Sequence, residues 1–364
     1  MPLNLHIPIS RLSLRILSTL FMSRINQQKI AEQLSLSQTT VSRALANHPS
    51  INAETKAQVW ERAARLGYQM PPSRARSSRN VSEPTVIGVV IAIPRRQRGH
   101  AETSQLVLRG VAERSSTDVV TLDILYQEPS EHDPKQLQKR LRQGRWKGCI
   151  LVHPMTDEVV ELISKTIACV SVVENYRRNF IDSVDVDQIE AISTLVRRLH
   201  DGGHRRIGFL SWIYEVPTPW VYHRFGAYLE TIVQLGLDYH PEDLINIHPK
   251  ERLTPEEVAD AVVAGIKRGV TAFVCAADHQ AYETRRLLAA RGIRVPEDCS
   301  LTGFDGIEPP TGATRITTVR VPYDEIGRSA FHQLMRRIEH PTAPRRHVLV
   351  DGELVEGDSI GSLP

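Results

Sequence analysis

At 364 residues the chain suits two or three domains, each large enough to bury a core, and no apolar run approaches the length of a helical membrane span. The charge is uneven: residues 1–80 hold eleven Lys and Arg against three acids, a net of +8, while the rest holds 34 basic and 39 acidic residues, a net of −5. A basic head on a mildly acidic body points to a polyanionic partner for the head and gives no reason to expect a membrane partner.

The opening "MPLNLHIPISRLSLRILSTLF" loosely resembles an export signal, but Arg11 and Arg15 interrupt its apolar stretch and no small-residue cleavage site follows. Residues 1–22 are therefore read as an extension, either disordered or upstream of a true start at Met22. Cys149, Cys169, Cys275 and Cys299 show no CxxC or His/Cys ligand spacing. They read as reduced structural residues of a cytoplasmic protein, with no metal site and no cofactor.

Residues 23–69 read as a small helical domain. Ile30, Ala31 and Leu34 share one helical face; Ser37 caps a second helix, "QTTVSRALA", whose inward residues are Val41, Ala44 and Leu45. Asn52 caps a third, with Val59, Ala63 and Leu66 on one side. Short helices with narrow apolar stripes, the first two joined by a tight turn, form a helix-turn-helix. Gln38, Thr39, Ser42 and Arg43 point away from the second helix's apolar face. Amide, hydroxyl and guanidinium groups there suit base edges in a major groove, whereas a merely solvated face would take Glu and Lys as readily. Double-stranded operator DNA is the expected partner.

"IAEQLSLSQTTVSRALANHPSINAETKAQVWERAARLGY" resembles the headpiece of the lactose-repressor/galactose-repressor (LacI/GalR) transcription regulators. The resemblance implies direct base contacts from Gln38, Thr39 and Arg43, with Ser37, Thr40 and Ser42 supporting them or touching phosphates. Ser35 stands where the family usually has Gly. Residues 70–84 form the hinge or linker, and here the chain departs further. In "ARSSR", Ser78 occupies the position at which the family has a Leu that wedges into the minor groove. Arg74, Arg76 and Arg79 remain available for phosphates, and Met70 is an alternative wedge; a plain flexible linker is the other reading.

From Thr85 the texture changes. "TVIGVVIAI", "VVTLDILYQ", "KGCILVH" and "ACVSVVE" read as strands, separated by helical "TSQLVLRGVAERS", "DPKQLQKRLRQG" and "DEVVELISK". After "DSVDVD" the cycle restarts with the helix "IEAISTLVRRLHDG", stopped by Gly202-Gly203, then the strand "RIGFLS" and the helix "HRFGAYLETIVQLG". "TAFVCAAD", "HQAYETRRLLAARG" and "CSLTGFD" complete it. The fold class is α/β: an all-α helix-turn-helix head and a two-lobed body of doubly wound parallel sheets, with ligands expected beyond the carboxyl ends of the strands. No GxGxxG follows the first strand, no phosphate loop occurs and no catalytic constellation stands out, so nothing argues for an enzyme.

"GHRRIGFL", "VPEDCSLTGFDG", "ITTVRVPYDEIGRSA" and "DGELVEGDSIG" resemble the effector-binding body of the same regulators, which is similar to periplasmic sugar-binding proteins. The resemblance implies lobe 1 over about 85–186 and 323–348, and lobe 2 over about 187–320 and 349–364. It implies a homodimer with a small-molecule effector between the lobes. Arg224 and Asp305 would hold its hydroxyls, Arg as a fork of donors and Asp as an acceptor. Asp278 is a further candidate, or serves its helix N-terminus instead. Trp212, Tyr214 and Trp220 sit near the expected mouth, where aromatic faces suit sugar rings; Glu174 and Asn175 are candidate polar contacts. A carbohydrate effector that releases a repressor is the expected function. The alternatives are a protein co-regulator, a non-sugar metabolite such as a nucleobase, and a sugar receptor without gene control.

Overall fold

The computed structural model describes residues 26–363 except 47, 49, 67, 69–84, 94–98, 117–119, 129–133, 177–178, 180, 215, 217 and 249. The extension over 1–22 and the hinge over 70–84, with Met70, Arg74, Arg76, Ser78 and Arg79, lie outside the described residues.

The head contains α1 (Gln27–Leu34), α2 (Gln38–Leu45) and α3 (Ala53–Arg65). Each begins at a polar side chain that satisfies an orphan amide. Asn26 Oδ1 accepts from the Lys29 amide at 3.0 Å, Ser37 Oγ from the Thr40 amide at 3.0 Å, and Asn52 Oδ1 from the Thr55 amide at 2.7 Å. Ile30, Ala31, Val41, Ala44, Leu45, Val59 and Ala63 are buried where the helices meet. Ser35 ends α1 in the left-handed region, φ 53°, where its amide and that of Leu36 close the turn onto Glu32 and Ala31.

Lobe 1 is a six-stranded parallel sheet. Its strands are β1 (Thr85–Ala92), β2 (Val120–Gln127), β3 (Trp146–Val152), β4 (Ala168–Val172), β5 (Asp182–Val186) and β11 (His347–Val350), in the order β11-β5-β4-β3-β1-β2. The inner strands are buried on both faces, which is why they read as continuous Val/Ile runs. α4 (Gly99–Ser115), α5 (Lys135–Arg142), α6 (Asp157–Ser164) and α11 (Tyr323–Glu339) complete this lobe. Cys149 and Cys169 lie side by side in register on β3 and β4, buried and unbridged.

Lobe 2 is a four-stranded parallel sheet in the order β7-β6-β8-β9. It comprises β6 (Ile207–Leu210), β7 (Leu244–Ile245), β8 (Ala272–Cys275) and β9 (Ser300–Thr302), with α7 (Gln188–Asp201), α8 (Pro219–Gln234), α9 (Pro255–Lys267) and α10 (Asp278–Ala289). β10 (Thr318–Arg320) and β12 (Glu353–Val355) pair antiparallel beside the crossings. The chain passes between the lobes after Val186, after Arg320 and after Val350. The last crossing falls later than the expected 348, because β11 stays in register with β5 through Val350↔Val186. The tail returns to lobe 2, where Ser359 accepts from the Leu301 amide. No helix among the described residues is long and apolar enough to cross a membrane.

α4 and α11 approach backbone to backbone. A Cβ on Gly110 would lie 1.8 Å from Asp324 O, and one on Gly327 would lie 2.2 Å from Val107 O. Both glycines are there for space, since neither has positive φ. Replacing Gly110 by Ala must push the helices apart, at an expected cost of about 1–3 kcal/mol in urea unfolding. An unchanged midpoint would contradict this packing.

Candidate functional site

A cavity of about 440 Å³, open to solvent, lies between the lobes and is walled by Thr103, His153, Val173, Trp220, Arg224, Ala277, His279, Asp305, Ile307 and Tyr323. His153, Val173, Ala277 and Asp305 each sit just beyond the carboxyl end of a strand, β3, β4, β8 and β9 respectively. That is where open parallel sheets expose polar backbone and loop side chains to a ligand.

Arg224 anchors this cavity. It is carried on α8 and is 2% exposed. Its Nε donates to Gln188 Oε1 at 3.0 Å, its Nη1 to Ala276 O at 2.5 Å, and its Nη2 stands 3.6 Å from Asp305 Oδ1. The guanidinium lies between two rings, 4.4 Å from the Trp220 centroid and 3.6 Å from that of Phe304. Stacking and hydrogen bonds together fix a planar cation that water no longer solvates.

Asp305 has φ 122°, outside the ordinary range for a residue with a side chain, and its carboxylate accepts from Tyr323 Oη at 2.9 Å. Burial raises its pKa, opposed by Arg224 and by the Tyr323 hydrogen bond. Tyr323 begins α11 of lobe 1, so this bond spans the two lobes. Behind Arg224, Gln188 Nε2 donates to Asp185 Oδ2 at 2.6 Å. Asp185 is buried, and desolvation pushes it up to about 7 against the opposing effects of Gln188 and Arg224.

The structure brings Arg224, Asp305 and Trp220 into one wall and places the other expected residues elsewhere. Asp278 is a correction: it is not in the wall. Its Oδ1 accepts from Thr318 Oγ1 at 2.6 Å and its Oδ2 from the Ile307 amide at 2.9 Å, so both oxygens tie together the loop that carries Asp305. Glu174 is also behind the wall, 1% exposed; burial and then Asp185 raise its pKa, against Arg224 and the Trp220 backbone amide. Asn175 faces His347 instead, with Nδ2 3.5 Å from Nδ1. Trp212 lies edge-on to His279, centroids 5.1 Å apart, and so backs the wall rather than forming it. Tyr214 Oη accepts from Gln280 Nε2 at 2.7 Å and packs edge-on against Trp220.

Thr103, His153, His279, Ile307 and Tyr323 are wall residues that sequence reasoning did not single out. His153 had the clearest signal, since it closes the strand run "KGCILVH". Its Nε2 is 2.8 Å from Ser104 Oγ and 3.4 Å from Thr103 Oγ1.

On the head, Gln38, Thr39, Ser42 and Arg43 are exposed along α2. Ser37 Oγ is 2.8 Å from Thr40 Oγ1 and also caps the helix, so this hydroxyl pair holds the start of α2. The exposed set combines donors and acceptors on a helix that ends in a guanidinium, a surface chemically suited to base edges and phosphates.

The described domain that matches residues 196–360 is the periplasmic binding protein-like domain. The HTH-type transcriptional regulator AscG of Escherichia coli is 24% identical over 315 residues, covering 83% of this chain and 90% of the relative. The structure of a LacI family regulator from Weissella paramesenteroides with bound sucrose matches with a TM-score of 0.62 at 21% identity, over 77% of this chain and 100% of that one. The lac repressor dimer bound to operator and the anti-inducer ONPF matches with a TM-score of 0.63 at 18% identity, over 93% and 99% of the two chains. The matched domain contains "VPEDCSLTGFDG", and these likenesses agree with the resemblance read in the sequence.

The raised Asp185 has a pH signature. Unfolded, it ionises near 3.8; folded, it keeps its proton up to about 7. The unfolded chain therefore binds fewer protons within that window, and its contribution to stability falls as pH rises through it, then levels off. Compared with Asp185→Asn, the parent should lose stability between pH about 4 and 7 in urea titrations. Parallel stability–pH curves for the two proteins would contradict the burial of this carboxyl.

Proposed function

We propose, on the premise of that LacI/GalR resemblance, that the protein is a sequence-specific DNA-binding transcriptional regulator controlled by a small molecule held between its lobes. The finer reading is a cytoplasmic homodimeric repressor whose effector is a carbohydrate and which releases its operator when the effector binds. The observation that carries it is the pairing of two surfaces in one chain: a capped helix exposing Gln38, Thr39, Ser42 and Arg43, and a cavity in which Arg224 meets Asp305 beside Trp220.

A donor fork and an acceptor 3.6 Å apart match adjacent hydroxyls, which both donate and accept. Trp220 adds an apolar ring to the same wall. Two heads in a dimer would read two half-sites one helical turn apart. Effector binding and operator binding then change each other's free energy equally.

Operators selected from random duplexes by the parent protein supply the DNA probe. Arg43→Ala should weaken binding to that probe about 5- to 150-fold, corresponding to ~1–3 kcal/mol, in fluorescence anisotropy. Unchanged affinity would remove Arg43 from the interface. For the cavity, a panel of mono- and disaccharides and nucleobases is screened by thermal shift. A compound at 100 times its Kd stabilises by about 2.7 kcal/mol. Asp305→Asn should abolish the shift of any sugar that works on the parent, and an equal shift in both proteins would exclude Asp305 as a contact.

A further inference from the structure

The head does not stand apart from the body in this structure: α3 lies against α4 of lobe 1. Lys56 and Trp60, one turn apart beside the Val59–Ala63 stripe, are 2% and 3% exposed, and Glu61 is 6% exposed. An ammonium stem, an indole and a carboxylate are not what a free-standing three-helix head buries. Here the Glu61 carboxylate accepts a hydrogen bond from the Gln105 side-chain amide of α4. The buried residues of the head and those of lobe 1, including Val107, Leu108 and Val111 on α4, form one continuous apolar cluster.

The same turn of α4 reaches the cavity. Thr103 stands in its wall, and Ser104 Oγ is 2.8 Å from Nε2 of the wall residue His153. Residues 103, 104 and 105 thus point in successive directions around one helix, two toward the cavity and the next toward the head. The Gly110 and Gly327 contacts seat α4 on α11, whose Tyr323 holds Asp305, so α4 has little room to move without disturbing another wall residue.

We propose that α4 couples the two sites directly: the head docks on lobe 1 through Trp60 and Glu61, one residue away from the Ser104–His153 contact that shapes the cavity. This rests on the preceding reading for what fills the cavity, but the docking does not depend on it. A ligand hydroxyl that draws His153 away from Ser104, or presses on Thr103, shifts the turn on which the head is seated. Docking leaves Gln38, Thr39, Ser42 and Arg43 exposed, so it orients the reading helix and does not mask it. The route passes through packed side chains and does not require residues 70–84.

Hydrogen–deuterium exchange of the full chain, without ligand or DNA, tests this. Gln105→Glu sets a second carboxylate against Glu61 and should speed exchange in residues 53–65 about tenfold, the equivalent of ~1.4 kcal/mol. The swap Gln105→Glu with Glu61→Gln should restore protection. Ser104→Ala, which removes the hydroxyl beside His153, should also speed exchange in residues 53–65, and Gln105→Glu should in turn loosen residues 153–156. The proposal is overturned if residues 53–65 ignore Gln105→Glu, if the swap fails to repair them, or if they answer Gln105→Glu but not Ser104→Ala. Failure here leaves operator and sugar binding standing, and failure of those leaves this exchange pattern to be judged by itself.

Discussion

A single guanidinium, nearly sealed from water, organises the space between the lobes. Arg224 has three carboxyl groups in its field, Asp305, Asp185 and Glu174, and a side chain buried that deeply is strongly destabilising unless it is paired, stacked and hydrogen-bonded. It is all three. Gln188 Oε1 and Ala276 O accept hydrogen bonds from it, Trp220 and Phe304 pack against it, and Asp305 supplies the nearest negative charge. The arrangement draws α7, α8 and the ends of β8 and β9 to one point. Loss of water around Asp185 outweighs the help of Gln188 and Arg224, which is why it holds its proton to about 7.

Much of this was legible in the chain. Parallel strands buried on both faces must be apolar throughout, so "TVIGVVIAI" and "KGCILVH" announced β1 and β3 without ambiguity. The caps at Ser37 and Asn52 marked α2 and α3 by the same physics that the hydrogen bonds now display. The helix α9 went unread, although the Thr254–Glu257 capping box and the buried face of Val258, Ala259 and Val262 mark it. The cavity was less readable. Arg224 and Asp305 were reached by family resemblance, since nothing in their spacing brings two distant residues together. Asp278 sits at a strand end like a ligand contact, yet Thr318 and Ile307 occupy its oxygens. Whether a carboxylate faces a cavity or its own scaffold depends on tertiary partners that no local pattern encodes.

Lobe 1 offers more than a wall. α4 presents Thr103 and Ser104 to the cavity and Gln105 to the head, and α11 joins it through a glycine-to-backbone approach on each side. Close-packed helices of this kind shift as units rather than bend, so a small change beside His153 reaches the seat of the head with little loss. Such a route between the sites relies on packing within the folded parts.

The central claim is that cavity and reading helix belong to one linked equilibrium. The most direct measurement is a titration of the selected operator duplex in the presence of rising concentrations of a sugar that stabilises the parent protein. The account predicts that the operator Kd climbs with sugar to a plateau, and that operator-bound protein binds the sugar more weakly by the same factor. An operator Kd that stays constant while the cavity fills would contradict it.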